Sequence, residues 1–320
     1  MYYIIVNPAS KSGRGAKVWS IIEPVLIEKD IEYKVFFSRE TGHVTKLVRD
    51  LSASVLKAGS EIILKLIVLG GDGTLNEVLQ GISDFSRVQV GYIPSGSSND
   101  ISRDLKFSKD PLEILENILS CQRPHLMDIG FLACEQAPSL RHASAPFRRN
   151  FAVSCGIGFD AAVCREALNS RFKDLLNKTG LGKLTYLFIA LKQVILARKA
   201  TCTILLDEKE PIRLSKFLFV TGMVHQYEGG GFKFCPGANF QDGLVDVCVV
   251  GNIPKWLVFA ALPTAFKGTH TRFKGIDCYT AAKVRIIVSE PMWVHTDGEV
   301  SIQSYDITLS CKQQVLQFLY

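Results

Sequence analysis

The first 127 residues of the chain alternate between strand-like and helix-like patterns. Short apolar runs rich in β-branched residues are separated by longer segments in which apolar residues recur at helical spacing. Strands and helices in alternation form a parallel sheet that helices cover on both faces, so residues 1–127 are predicted to be an α/β domain. The predicted strands are Tyr2–Val6, Glu32–Phe37, Ile62–Leu69 and Gln89–Ile93, and the predicted helices are Ala16–Lys29, Gly42–Lys57 and Thr74–Gln80.

Beyond residue 127, short β-rich runs dominate the sequence. Two helical patterns interrupt them, at Gly182–Arg198 and at Lys255–Lys267, and Pro254 is favourable at the start of the latter. Residues 128–312 are therefore predicted to be a β-rich, sandwich-like domain, and residues 313–320 a strand that returns to the first domain. The predicted strands of the second domain are Phe151–Ser154, Thr201–Leu206, Phe217–Thr221, Leu244–Val250, Lys283–Val288, Trp293–His295 and Ile307–Cys311.

The composition limits the class of protein. With 47% hydrophobic residues over 320 positions, the chain can bury substantial cores and is not predicted to be disordered. The longest apolar stretch, Leu184–Ala197, is interrupted by Lys192 and is shorter than the roughly 20 residues that span a bilayer. The N-terminal residues 1–8 lack the basic region of a signal peptide. We therefore expect a soluble, cytoplasmic protein.

The nine cysteines show no Cys-x-x-Cys spacing, and the six histidines show no ligand spacing. Disulfide frameworks and zinc sites are usually recognised by such spacings. The sequence therefore predicts buried, reduced thiols and histidines with ordinary structural roles.

The positive charge is concentrated in one segment. The net charge is +6, and residues Arg171–Lys199 contain seven basic residues and one acidic residue, which together also sum to +6. A helix in this segment would carry apolar residues on more than one face, which is compatible with contact with an anionic membrane surface. Packing of the same helix on the β-rich domain, with its lysines in solvent, remains the alternative.

Two polar turns follow neighbouring strands of the predicted α/β domain. Gly70-Gly71-Asp72-Gly73-Thr74 follows one strand, and Pro94–Asp100 follows the next. Glycines at a helix N-terminus leave backbone N–H groups open to a phosphate, although either turn alone could be an ordinary strand-to-helix connection. Because both turns lie at the same edge of the sheet, we predict one phosphate-binding crevice there. The chain contains neither a Walker A loop nor a dinucleotide-binding Gly-x-Gly-x-x-Gly motif.

Asp-Gly pairs stand out in the second half of the chain. Asp242-Gly243 and Asp297-Gly298 each lie between apolar runs, and such pairs typically form hairpin turns. Gly229-Gly230-Gly231 predicts a flexible approach or a bulge.

These motifs occur in an order that resembles the diacylglycerol kinase catalytic family, and the chain is similar to its soluble bacterial lipid kinases. The resemblance extends from the N-terminus past Glu299 and so covers nearly the whole chain. The order of the motifs is specific, although no single motif is. The matching segments are Asn7–Ser10, Gly70–Glu77, Pro94–Asp100, Gly156–Ala161, Gly229–Pro236, Asp242–Asp246 and Asp297–Glu299.

The resemblance implies a nucleotide-binding α/β domain like that of NAD kinases and phosphofructokinases, followed by a β-rich lipid-substrate domain. It implies transfer of the γ-phosphoryl group of ATP, with Mg²⁺, to a lipid hydroxyl, most directly that of diacylglycerol to give phosphatidic acid. By similarity, Asp72 and Glu299 would be catalytic, Glu299 as the proton acceptor. Asp242 would hold a structural Mg²⁺ with backbone groups of Asn239 and Leu244. The implied ATP-binding residues are Asn7, Ser38, Gly70, Gly71, Asp72, Gly73, Thr74, Asn76, Ser97 and Asn99.

Two departures from the family pattern leave the lipid open. Ser97 replaces a threonine at the nucleotide, and Met223-Val224-His225 replace the asparagine that usually precedes the triple glycine. NAD kinase-like and sphingoid-base kinase activities therefore remain alternatives. A non-catalytic binding module is disfavoured, because Asp72 and Glu299 are both present. We expect a lipid partner at the inner face of the membrane, approached peripherally, and no nucleic acid partner; a homodimer is left open.

Overall fold

The computed structural model describes residues 1–59, 62–135, 146–169, 189, 192–195 and 200–320. The chain divides into two compact units. The first contains Met1–Asp128 and Gln313–Tyr320, and the second contains Ile129–Lys312.

The first unit is built on a parallel sheet. Its strands run in the order β4-β3-β1-β2, and the end of the last strand of the chain, residues 317–319, pairs in parallel with β4. Every strand ends at the same edge, as the alternation of patterns predicts. The strands are β1 (Tyr2–Val6), β2 (Tyr33–Phe37), β3 (Leu64–Gly70) and β4 (Val88–Pro94).

Helices join the strands of the first unit. The first helix contains Lys11, Ser12 and Gly13 with positive φ angles, so its regular part begins after them, close to the predicted start at Ala16. One face of this helix packs with β1, β3 and the last helix of the unit in a buried core. The helices are α1 (Ser10–Glu28), α2 (His43–Ala58), α3 (Asp72–Gly81), α4 (Asp100–Asp104) and α5 (Pro111–Ser120), with a short 3₁₀ turn at Phe85–Arg87.

The second unit is β-rich and antiparallel. Its main sheet has the order β11-β10-β9-β7-β12-β13; β8 pairs with β9 and β12, and β5 pairs with β6. Valine, isoleucine and leucine side chains from these strands form its core. The strands are β5 (His125–Cys134), β6 (Phe147–Phe151), β7 (Ser154–Gly158), β8 (Ala200–Leu206), β9 (Ile212–Met223), β10 (Val245–Gly251), β11 (Ile276–Ala281), β12 (Lys283–Thr296) and β13 (Glu299–Leu319).

Helices α6 (Phe159–Asn169) and α7 (Lys255–Thr264) belong to the second unit, and 3₁₀ turns follow at Ala265–Lys267 and His270–Arg272. The predicted helix at Lys255–Lys267 is therefore an α-helix that tightens in its last turn. Most of the basic segment Arg171–Lys199, including most of the predicted helix at Gly182–Arg198, lies outside the described residues. No helix in the described ranges is long and apolar enough to cross a membrane.

Some predicted strand limits are wrong. The predicted strand Phe151–Ser154 is the boundary between two strands, because the N–H groups of residues 152–154 donate to the Asp297 carboxylate instead of to a neighbouring strand. The predicted strands at 283–288 and 293–295 form one strand, β12, whose pairing with β13 shifts register between Ile287 and Met292. This irregularity interrupts the apolar alternation, and the sequence pattern therefore indicates two strands.

Candidate functional site

The two polar turns of the first unit lie side by side at the carboxyl ends of β3 and β4. Gly70 is paired with Pro94 in the sheet, and the Ser95 N–H donates to the Gly70 carbonyl at 2.7 Å. Helix α3 begins immediately after Gly71, which provides no side-chain cap. Uncapped N–H groups at a helix N-terminus favour an anion. The structure thus brings the two predicted turns together.

Glycine is required where the two turns meet. A Cβ on Gly96 would lie 2.5 Å from the Gly71 Cα, and a Cβ on Gly71 would lie 3.1 Å from the Gly96 Cα. A Cβ on Gly70 would lie 2.5 Å from the Thr74 side chain. These glycines therefore allow backbone to pack on backbone, in addition to any approach of a ligand.

Asp72 joins the first turn to the start of α4. Its two carboxylate oxygens lie 3.1 and 3.2 Å from the Asp100 N–H, which donates to them. The buried Tyr92 hydroxyl contacts the Asp72 carboxylate and donates to Asn99 Oδ1 at 3.3 Å. Burial, together with the nearby carboxylates of Asp72 and Asp100, raises the pKa of Tyr92 well above its usual value, so the phenol stays a donor. Asp72 therefore fixes the relative position of the two turns.

The other predicted nucleotide residues surround these turns. Asn7 Nδ2 donates to Thr74 Oγ1 at 3.0 Å, and the Asn99 side chain closes the second turn by bonding both the N–H and the carbonyl of Gly96. Ser97 is exposed at the tip of that turn. Ser38 is half-buried directly after β2, and its N–H donates to the Val6 carbonyl at 2.8 Å. The remaining predicted positions, Gly73 and Asn76, lie in the first turns of α3.

Glu77 of the glycine motif has a structural partner. Its carboxylate accepts the N–H groups of Gly42 at 2.9 Å, Val44 at 3.0 Å and Thr45 at 3.4 Å, at the start of α2. Gly42 is the N-cap residue of α2 and has no side chain with which to cap it. Glu77 thus caps α2 from another helix.

In the second unit, the turn between β12 and β13 carries the predicted base. Asp297 and Gly298 have φ angles of 51° and 82°, as a two-residue hairpin turn requires, and Glu299 follows, half-buried, as the first residue of β13. The Asp297 carboxylate accepts three N–H groups from residues 152–154 at 2.8 to 3.0 Å. Asp297 therefore anchors the turn, and Glu299 is held at its end.

A buried cluster of Asp160, Glu228 and His295 lies beside this turn. His295 Nε2 is 3.2 Å from Asp160 Oδ2 and 3.2 Å from Glu228 Oε1, and His295 Nδ1 accepts the Gly298 N–H at 3.2 Å. Burial raises the pKa of Asp160, and its Oδ1 accepts the Ala161 N–H at 2.7 Å. A Cβ on Gly156 would lie 1.8 Å from Asp160 Oδ2, so glycine at this position makes room for the cluster. These three side chains could also hold a metal ion.

An apolar cavity borders the cluster. Its volume is about 100 Å³, and the carboxyl-bearing residues Asp160 and Glu228 form part of its wall. The triple glycine after Glu228 has three successive positive φ angles and closes a tight loop, because the Phe232 N–H donates to the Glu228 carbonyl at 3.0 Å. Apolar residues from β9, the loop after the glycines and α7 also line the cavity, among them Phe219, Phe232, Phe234, Val258, Ala261 and Leu262.

The predicted Mg²⁺ residues form one loop before β10. The exposed Asp242 accepts the Leu244 N–H through Oδ1 at 2.9 Å, and Asn239 Oδ1 accepts the Gln241 N–H at 3.2 Å. A carboxylate and backbone carbonyls within one loop are the oxygen donors that Mg²⁺ prefers, so the residues present fit such an ion.

Sequence reasoning missed several residues of this site. Asp160 was noted within a motif, but Glu228 and His295 were not connected with it, since 68 and 67 positions separate the three along the chain. The departure from the family pattern at residues 223–225 lies in the segment just before Glu228 but outside the cavity wall. His225, at that position, is buried and its ring stacks on Phe240 at 5.0 Å between centroids.

Comparison with known proteins identifies the family. A protein of Bacillus subtilis (strain 168) named "Putative lipid kinase YtlR" is 28% identical over 93% of this chain and 93% of its own length. A diacylglycerol kinase of the same organism is 25% identical over 80% of this chain and 78% of its own length. The crystal structure of a diacylglycerol kinase from Bacillus anthracis str. Sterne has a TM-score of 0.68 at 19% identity and covers 100% of this chain and 96% of that chain.

Both units match described domain families. Residues 1–131 match the diacylglycerol kinase catalytic domain, and residues 153–319 match the YegS C-terminal NAD kinase beta sandwich-like domain. These matches confirm the predicted fold class, an NAD kinase-like α/β domain followed by a β sandwich-like domain. Since the two matches together cover nearly the whole chain, it belongs to the diacylglycerol kinase family with a YegS-type C-terminal domain, and it is a lipid kinase.

Proposed function

We propose that the chain transfers the γ-phosphoryl group of ATP, bound with Mg²⁺, to the hydroxyl of a lipid, with diacylglycerol as the first candidate acceptor. The observation that carries the lipid assignment is the apolar cavity of the second unit, whose lining is almost entirely apolar and includes the residues Asp160 and Glu228. Apolar pockets with a few polar groups suit ligands that have a hydrocarbon body and a polar end.

The first unit would bind the phosphoryl donor. The uncapped start of α3 offers backbone N–H groups to phosphate oxygens, and the exposed Ser97 hydroxyl stands in the adjoining turn. Asp72 keeps the two turns in register through the Asp100 N–H, and its carboxylate is the group that would orient Mg²⁺. Phosphoryl transfer depends mainly on alignment and charge neutralisation, which such a site supplies.

The second unit would bind the acceptor and take its proton. In the reaction, the lipid oxygen forms a bond to the γ-phosphorus while the bond to the β–γ bridging oxygen breaks, and the hydroxyl proton passes to the Glu299 carboxylate. Asp297 anchors the hairpin that carries Glu299, and His295 bonds the Gly298 N–H of the same turn. These contacts support a positioned base, which typically contributes about 10²–10⁴ in rate.

The loop at Asp242 would hold a structural Mg²⁺. Three oxygen-bearing residues lie within six positions, and the ion would tie the loop to β10. Its chemistry would be to crosslink oxygen donors, with no part in bond breaking.

Access to the lipid would be peripheral. Trp256 and Phe266, at α7 and the turn that follows it, are 69% and 46% exposed, and both elements contribute residues to the cavity wall. Lys255 and Lys267 are exposed beside them. Exposed aromatic side chains next to lysines are typical of surfaces that meet the headgroup region of a membrane. This surface would contact the membrane whether or not the basic segment 171–199 also does.

A long-chain amino alcohol is the second candidate acceptor. The specific observation is that Asp160 and Glu228, whose carboxyl groups contact His295, line the cavity, because carboxylates beside a ligand's ammonium group can compensate its removal from water. Diacylglycerol has no such group and would use the wall as a hydrogen-bonding surface.

A parallel assay with γ-labelled ATP tests both proposals. The acceptors are diacylglycerol, ceramide, sphingosine and phosphatidylglycerol in mixed micelles, and NAD in solution. We expect Mg²⁺-dependent label in diacylglycerol. Preference for sphingosine would select the second candidate, and label in NAD with no labelled lipid would refute the lipid assignment.

A further inference from the structure

Three cysteines and one histidine of the second unit meet outside the site described above. They are Cys235, Cys248, His270 and Cys278. Cys248, His270 and Cys278 each offer one ligand atom within 4.8 Å of the others. Cys235 lies outside this group of three but contacts it, because it and Cys248 both hydrogen-bond to the Cys278 sulfur.

The fold brings these residues together from four separate segments. Strands β10 and β11 are antiparallel, and their register places Cys248 directly opposite Cys278. The 3₁₀ turn at His270–Arg272 precedes β11 and places His270 beside Cys248. Cys235 lies in the loop after the triple glycine, next to Phe234. The spacing along the chain gives no sign of this arrangement, since 13, 22 and 8 positions separate the successive residues.

The separation of Cys248 from His270 is close to that in a tetrahedral metal centre. Cys248 Sγ lies 3.9 Å from His270 Nε2. Zinc–sulfur bonds of about 2.3 Å and zinc–nitrogen bonds of about 2.0 Å at the tetrahedral angle place sulfur and nitrogen about 3.5 Å apart. A shift of a few tenths of an ångström would therefore bring both atoms to bonding distance of one ion.

The burial of the cluster also fits a metal ion that enters from one side. Cys235, Cys248 and His270 are at most 2% exposed, whereas Cys278 on the edge strand is exposed, which provides a path of entry.

We propose that Cys235, Cys248, His270 and Cys278 form a structural zinc site. Three sulfurs and one imidazole nitrogen form a closed Cys₃His ligand set. Because thiolates are soft ligands, such a set selects Zn²⁺ over Mg²⁺. Binding displaces the thiol protons into solvent and involves no redox step. The ion would tie the loop at Cys235 to β10 and β11, and His270, which also lines the apolar cavity, would couple the site to the wall of that cavity.

Two metal-free arrangements compete with this proposal. In the first, the cluster is only a hydrogen-bonded one, because the Phe234 carbonyl accepts from Cys278 at 3.4 Å and lies 3.1 Å from His270 Nε2. In the second, the opposed Cys248 and Cys278 oxidise to a disulfide. Neither would retain zinc.

The test is the zinc content of the 320-residue chain, purified from zinc-supplemented cells without chelator or added reductant and kept in excess Mg²⁺. We expect about one zinc per chain in the wild type and a loss of at least tenfold in occupancy in Cys278→Ser. Cys121→Ser is the matched control, because its thiol donates to a carbonyl in the first unit and a serine hydroxyl can replace it. The control should keep the wild-type zinc content.

Replacement of the metal with Co²⁺ provides a second readout that does not depend on how well a variant expresses. Wild-type protein loaded with Co²⁺ should show the thiolate-to-metal charge-transfer band and the visible absorption of a tetrahedral site, and Cys278→Ser should lose most of the charge-transfer intensity. A zinc-selective chelator should lower the melting temperature of the wild type, and added Zn²⁺ should restore it. Wild type without bound zinc, equal zinc content in Cys278→Ser, or a Cys248–Cys278 disulfide in place of metal would each overturn the proposal.

Discussion

Glu77 offers a sharp test, because the glycine motif suggests a role at the nucleotide while the structure gives it a role in folding. Its carboxylate accepts three N–H groups at the start of α2, at 2.9, 3.0 and 3.4 Å. Glu77→Ala would leave these N–H groups to water, since Gly42 cannot cap the helix and α2 has no acidic residue in its first turn. The variant should therefore unfold more easily.

The size of the effect follows from these contacts. Loss of an N-cap costs about 0.5–2 kcal/mol, and loss of a negative charge at a helix N-terminus about 0.3–1 kcal/mol more. Because Gly42 is exposed and water can replace part of the bonding, we expect about 2 kcal/mol for the first unit. At about 2–4 °C for each kcal/mol, the melting temperature should fall by about 4–8 °C. Glu77→Gln keeps an oxygen acceptor and should lose about half as much.

The assay pairs thermal unfolding without nucleotide with turnover measured well below the melting temperature. Asp50→Ala is the matched control, because Asp50 is an exposed carboxylate on α2, the helix that Glu77 caps. Turnover per folded molecule should stay near the wild-type value in Glu77→Ala. A melting temperature equal to that of Asp50→Ala would refute the capping argument, and a 100-fold loss of turnover at unchanged stability would place Glu77 at the phosphates instead.

Three further predictions follow from the site. Asp72→Asn and Glu299→Gln are nearly isosteric and should each lower kcat by about 10² or more with little change in melting temperature. Wild-type turnover in Glu299→Gln would show that the Asp297–Glu299 segment is only a hairpin turn. Asp242→Ala, and removal of Mg²⁺ from the wild type, should each lower the melting temperature, because an ion bound to the native state stabilises it. A melting temperature that neither change affects would contradict the structural Mg²⁺ site. Trp256→Ala combined with Phe266→Ala should weaken co-sedimentation with anionic vesicles at low salt while activity on a short-chain, water-soluble acceptor is kept, and equal pelleting of wild type and variant would show that these exposed rings do not meet the membrane.

Much of the architecture could be predicted from local sequence patterns. The predicted limits of the four parallel strands of the first unit agree with the structure to within two residues at each end. The clearest signals are β3 and β4, because a mostly buried apolar strand that ends at a glycine or a proline differs in period and composition from an amphipathic helix. The order of short motifs was enough to identify the family, which the domain matches confirm. Strand limits failed where a side chain from elsewhere, such as Asp297, took over the backbone hydrogen bonds.

The roles of individual side chains depended on contacts that the local pattern does not contain. The sequence places Asp72, Glu77 and Glu299 in their motifs, but it does not show their partners. Asp72 contacts Asp100, 28 positions away, and Glu77 contacts Gly42, 35 positions away. Both contacts depend on how neighbouring strands and helices pack. The Asp160, Glu228 and His295 cluster and the four residues of the proposed zinc site likewise come from strands, loops and helical turns that meet only in the folded unit. A local pattern records the environment of a residue within a few positions, because propensities and caps act over one turn or one strand pair. Which distant groups then face each other is decided when the sheets and helices pack, and that is where the chemistry of this protein is determined.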